Sequence, residues 1–158
     1  MIVHALVSAA LAAQPLPFPP PPPPGAAPPP LGQPVLALPV LKADLVAKTG
    51  SDTVRFQRDS YVIDAAAQAI LAKQAQWLLE RPWIRASIEG HADGRQTRDY
   101  ALALGERRAA AVRNFLVARG VPPQQLSIVS WGRERPAIAA LHDAAWLQNS
   151  RVVTVLKQ

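Results

Sequence analysis

No cysteine occurs among the 158 residues of this chain. Disulfides, thiolate metal sites and lipid attachment through a cysteine of this sequence are therefore excluded. The absence suits the cytoplasm, and equally an exported protein that folds without disulfides. Charge is missing from the first quarter: residues 1–41 hold no Lys, Arg, Asp or Glu, so the net charge of +6 arises entirely between Lys42 and Lys157. No apolar run approaches the roughly 20 residues of a membrane-spanning helix. There is no G-x-S-x-G nucleophile elbow and no G-x-x-x-x-G-K-[ST] phosphate loop, so hydrolase and nucleotide chemistry find no support. The arginines are dispersed among acids, with Arg107 beside Glu106 and Arg133 and Arg135 flanking Glu134. That mixed pattern describes a solvated surface, not a nucleic-acid-binding patch.

What is present divides into three stretches. Residues 1–13 are apolar and end in small residues, with Ala10-Leu11-Ala12 in the A-x-A form of a signal-peptidase site. Without a basic n-region, two readings stay open: a weak secretory signal, or the tail of one that starts upstream. Residues 14–39 form a proline-rich linker containing the hexaproline Pro19–Pro24 and then Pro28-Pro29-Pro30. Fixed φ and missing N–H donors predict polyproline II without a core. At about 3.1 Å per residue the linker spans roughly 70–80 Å when extended, a stiff spacer. A ligand for a proline-reading module is the rival, but no basic residues flank the prolines. Residues 40–158 are globular in composition and suffice for one packed core.

Within the globular stretch, Leu45–Lys48 and Thr53–Phe56 read as two strands around the turn Thr49-Gly50-Ser51-Asp52. Asp64 is placed to cap a helix over 65–80, with Ile63 as a staple residue and Pro82 as the stop. Trp83–Glu89 is the next strand. A second long helix runs from Thr97 to the Arg119-Gly120-Val121-Pro122 ending, where Gly120 suits a left-handed cap. Leu126–Trp131 and Arg151–Leu156 supply further strands, with one helical turn near Asp143–Leu147. The prediction is an α+β sandwich of order β/α/β/α/β-β, its two long helices on one face of a mixed sheet.

The strand-to-helix junction from Ile88 to Asn114 carries the candidate site. Gly90 permits a turn at the strand end, which leaves His91 and Asp93 beyond it. Arg108 falls on the packed face of the following helix, one turn from Leu104. An acid at the start of the loop and an arginine early in the helix can converge on one ligand. By spacing alone, Asp93 more often caps or braces the loop, and Arg108 more often pairs with Glu106 or a neighbouring acid. A metal at His91-x-Asp93 would have only two ligands, too few for a site.

Five segments, taken together, resemble the OmpA-like peptidoglycan-binding domain: Val54–Asp59, Ile88–Asp93, Tyr100–Ala109, Ser130–Pro136 and Ala144–Val153. Within that family the similarity is greatest to the peptidoglycan-associated lipoproteins of the Tol–Pal system. The resemblance covers about residues 45–157. It implies a non-catalytic domain without cofactor, located in the periplasm or cell envelope and associated with the outer membrane or the wall. Its implied ligand is the diaminopimelate-containing stem peptide of peptidoglycan, with a Tol-like periplasmic protein as a further partner. The family's acidic contact falls on Asp93 and its arginine on Arg108. Phe56, Asp59 and Arg151 match positions that line or support the groove, and His91 a loop-fixing hydrogen bonder. Diaminopimelate ends in an ammonium and a carboxylate on one carbon, which an acid and a forked guanidinium suit.

The chain departs from the family at several points. Ala101 stands where asparagine is usual, Ser150-Arg151 where two arginines are usual, and Gly94 and Gln96 where Glu and Gly are common. Gln57 and Arg58 follow Phe56 in place of an acidic and an apolar residue. These changes predict weakened wall binding, since one lost hydrogen bond costs about 1 kcal/mol. The absent cysteine removes the lipid attachment of the lipoproteins. A degenerate paralogue serving as a periplasmic adaptor is the alternative function.

Overall fold

A computed structural model describes residues 36–158. The expected signal segment 1–13 and nearly all of the 14–39 linker lie outside the described residues. The chain forms helix α1 (Leu38–Thr49), strand β1 (Thr53–Arg55), helix α2 (Ala65–Leu79), strand β2 (Arg85–His91) and helix α3 (Arg98–Ala118). A 3-10 turn (Pro123–Gln125), strand β3 (Leu126–Gly132), helix α4 (Asp143–Asn149) and strand β4 (Arg151–Lys157) complete it. The sheet order is β1-β4-β2-β3. β2 and β3 run parallel across the α3 crossover, while β4 is antiparallel to both β1 and β2. The predicted α+β architecture with a mixed sheet is therefore present.

The first element differs from expectation. Leu45–Lys48 is not a strand but the last half of α1, which begins two residues inside the expected linker. β-branched Val46 beside a T-G-S-D turn suggested extension. The three- and four-residue spacing of Leu38, Leu41, Leu45 and Thr49 prevails, because that stripe buries Leu41, Leu45 and Thr49. Pro39 sits in the first turn, where its missing N–H costs nothing. Gly50 ends the helix at φ 90°, its N–H donating to the Val46 carbonyl. Asp44 then ties α1 to α2 by accepting from the Trp77 indole at 2.8 Å and Arg81 at 3.1 Å.

Local signals elsewhere hold. The Asp64 carboxylate accepts from the Ala67 N–H at 2.8 Å, and Ile63 packs against the core. Thr97 caps α3 by accepting from the Tyr100 N–H. At its other end Gly120 adopts φ 99° and the Val121 N–H reaches back to the Leu116 carbonyl. Val54, Val152, Ala86 and Leu156 line the face of the sheet that meets the helices, with Val54 opposite Val152 and Ala86 opposite Leu156. Leu45, Leu71, Leu78, Val112 and Leu116 fill the space between. Burying each of these leucines is worth about 1.5–3 kcal/mol.

Two features position the junction. A Cβ on Gly90 would lie 1.8 Å from the Gly105 carbonyl oxygen, so β2 and α3 touch backbone to backbone. Ser130 donates to the Leu102 carbonyl at 2.7 Å, fastening the same helix to β3. Deeper in the core, fully buried Gln74 donates to the Ser51 carbonyl and accepts from the Thr154 hydroxyl, each at 2.8 Å.

Two stability outcomes are expected. Gly90→Ala loses about 3 kcal/mol in denaturant unfolding, since backbone must move, and Gly105→Ala loses less; losses below about 1 kcal/mol for both would show that the helix can lift away. Gln74→Leu costs about 1–3 kcal/mol by leaving the buried Thr154 hydroxyl without its partner. Adding Thr154→Val then restores part of that loss, whereas simple additivity would mean the bridge contributes nothing.

Candidate functional site

Arg108 projects from α3 into the end of the core and has no solvent exposure. Burial of a guanidinium is tolerated only with hydrogen-bond partners, and main-chain carbonyls provide them. Its Nε donates to the Ser60 carbonyl at 2.7 Å, Nη1 to His91 at 2.9 Å and Nη2 to Gln57 at 3.0 Å. Three of its five donors therefore join α3, the end of β2 and the loop after β1. The Phe56 ring lies beneath, its centroid 5.4 Å from the guanidinium carbon. Burial pushes the Arg108 pKa down to about 10, against the pull of Asp93, Asp59 and Tyr100. At neutral pH it stays charged. Pairing with Glu106 is not its role here.

Asp93 is buried two residues beyond the His91 carbonyl that holds Arg108. All of its acceptor capacity is used. Oδ1 accepts from the Arg95 N–H at 3.0 Å and Arg95 Nε at 2.9 Å; Oδ2 accepts from Arg95 Nη2 at 2.7 Å and the Ser150 hydroxyl at 3.3 Å. Burial raises the Asp93 pKa, but the Arg95 side chain and N–H and the Ser150 hydroxyl outweigh it and hold the carboxyl below its usual range. Arg95 in turn lies against Trp146 of α4, its guanidinium carbon 4.4 Å from the ring centroid. Neither Arg95 nor Trp146 was singled out from sequence as site-forming. The signal was an arginine two residues after the acid, the spacing of a turn closed by an Asp side chain.

The remaining candidates separate. Phe56 is buried and donates its N–H to the Ser150 carbonyl at 2.8 Å, so it supports the junction from below. Asp59 adopts φ 54° and accepts from Gln96 across the mouth. It also borders a cleft of about 80 Å³ with Tyr61, Tyr100, Leu104 and Arg107. His91 fixes the loop through its carbonyl, while its ring Nδ1 is buried without a partner. Burial, reinforced by Arg151, pushes its pKa down to about 4, so the imidazole is neutral at pH 7. Arg151 alternates with buried Val152, placing it on the opposite face of the sheet from α3. There it donates to the Arg135 carbonyl at 3.2 Å. The structure thus gathers Asp93, Arg108, Phe56 and Asp59 at one end of the domain and leaves Arg151 behind the sheet. Trp131 is also on that outer face, donating to Glu89 at 2.9 Å with Arg135 stacked 3.5 Å from its ring centroid.

Comparison with known proteins identifies the family. The peptidoglycan-associated lipoprotein of Brucella melitensis is 50% identical over 120 residues, 76% of this chain and 71% of the relative. That of Pseudomonas aeruginosa is 42% identical over 110 residues, 70% and 65% of the two chains. Among solved structures, the peptidoglycan-associated lipoprotein from Burkholderia pseudomallei superposes with a TM-score of 0.67 at 39% identity, covering 68% of this chain and 92% of that one. The C-terminal domain of Helicobacter pylori MotB shares the fold, with a TM-score of 0.64 at 22% identity, over 68% of this chain and 84% of that one. The model of the OmpA family matches residues 55–146, a span that contains Phe56, Asp59, Asp93 and Arg108. On these matches, the chain belongs to the OmpA family.

Proposed function

We propose that this domain binds peptidoglycan without catalysis, gripping the zwitterionic end of diaminopimelate in the stem peptide, and so holds a component of the cell envelope against the wall from the periplasmic side. The observation that carries this is the pairing of two buried, oppositely charged side chains at one strand-to-helix junction. Asp93 and Arg108 are linked through a single stretch of backbone, the Arg108 guanidinium bonding the carbonyl two residues before Asp93. An ammonium suits the first and a carboxylate the second. The names of the relatives point the same way, since the Brucella, Pseudomonas and Burkholderia proteins are all peptidoglycan-associated lipoproteins. Neutral His91 adds no positive charge, and Arg95 is engaged on Asp93, so the ligand carboxylate is assigned to Arg108.

The test is a titration of the chain with two muropeptides, one carrying diaminopimelate and one carrying lysine, which keeps the ammonium but lacks the neighbouring carboxylate. Asp93→Asn is expected to lose both ligands. Arg108→Lys, which keeps charge but loses the fork, is expected to weaken the diaminopimelate ligand by roughly 10- to 100-fold and the lysine ligand hardly at all. Equal affinity of wild type and both variants for either muropeptide would remove the site. Docking of a Tol-like periplasmic protein alone would show as binding that free diaminopimelate does not displace.

A further inference from the structure

The Asp93 carboxylate has about four lone-pair directions, and four hydrogen bonds already fill them. Three of the four come from Arg95, two of them from its guanidinium in the forked geometry that binds carboxylates best. An ammonium approaching Asp93 therefore finds no free acceptor. Arg95 is also not locked in place from outside: its side chain retains 21% of its exposure, and its other neighbour is the flat face of Trp146. A stacking surface of this kind can hold a guanidinium in more than one lateral position. The loop carrying both residues is short, so opening the contact needs rotation of the Arg95 side chain and no movement of β2 or α3.

Resting on the assignment of Asp93 as the ammonium contact, we propose that Arg95 is a tethered competitor: its guanidinium occupies the ligand's place on Asp93 and must slide off along Trp146 before an ammonium can bind. Affinity is then reduced by the fraction of time the contact is open, because only the open form is competent. The same device sets selectivity. A lone ammonium displaces a bidentate guanidinium less readily than does a ligand that places a second charge on Arg108. Arg95 is thus a positioning residue for Asp93 in the free protein and a barrier to association.

The experiment measures association and dissociation rates of a diaminopimelate muropeptide with the full chain, its Arg95→Gln variant and its Arg95→Lys variant. Arg95→Gln is expected to bind roughly fivefold to tenfold tighter, through faster association with dissociation little changed. Arg95→Lys, which makes one bond in place of two, should fall between. Weaker or unchanged binding by both variants, while wild type binds, overturns the competitor and leaves the wall-binding site standing. If no chain binds the muropeptide, the proposed function fails. The Arg95–Asp93 contact is then judged by its own signal, the exchange of the Arg95 Nε–H with solvent. Exchange as fast as that of an exposed arginine would sink the contact itself.

Discussion

A buried guanidinium bonded to three carbonyls is the constraint on which this domain's working end depends. Desolvating that charge costs several kcal/mol, and the cost is offset only while Ser60, His91 and Gln57 all present their carbonyls together. The loop after β1, the end of β2 and the middle of α3 are consequently fixed to one another. No apolar side chain at position 108 could do this, because it would remove the one group that donates to all three carbonyls. The backbone contact between Gly90 and Gly105 serves the same end by another route. It lets α3 sit low enough on the sheet for Arg108 to reach under the loop.

With that frame rigid, the chemistry is concentrated in a loop of few residues. Asp93 is held below its usual pKa while buried, so it remains an anion where an unpartnered carboxyl would take up a proton. What keeps it ionised in the free domain is the Arg95 guanidinium, and a ligand ammonium would do so in the complex. On the proposed binding mode, charge balance at the junction would be preserved, and the domain would not expose or neutralise an isolated buried carboxylate in either state.

Much of this was legible in the residues, for physical reasons that are local. The Asp64 cap, the change to helical spacing at Thr97 and the Gly120 stop each depend on a few neighbouring positions, and each formed as read. The first helix was missed because its stripe is spread over Leu38, Leu41 and Leu45, the first of them inside the expected linker, while Val46 and the following turn imitate a strand. At the site, Asp93 and Arg108 were singled out by type and spacing, but their partners were not. Arg108 satisfies itself on carbonyls, which every sequence possesses and none advertises. Arg151 was grouped with the groove through the resemblance, yet strand alternation beside Val152 already assigned it to the other face.

The departures from the family change meaning once the contacts are known. Ala101 is fully buried against Ala92 and Leu104, and Gly132 passes so close that a Cβ there would meet the Leu102 nitrogen at 2.9 Å. A small apolar residue packs in that corner, so the side-chain hydrogen bonds given up there are partly offset by burial. Ser150 matters more. It donates to Asp93 as a neutral hydroxyl, and among the described residues Arg95 is the one cation within ion-pair distance of that carboxylate. A second arginine at position 150 would leave excess positive charge after an ammonium had entered. With serine there, the proposed exchange would remove one cation from Asp93 as one arrives. It would be electrically neutral at Asp93, which would leave the bond between a ligand carboxylate and Arg108 to tip it towards binding.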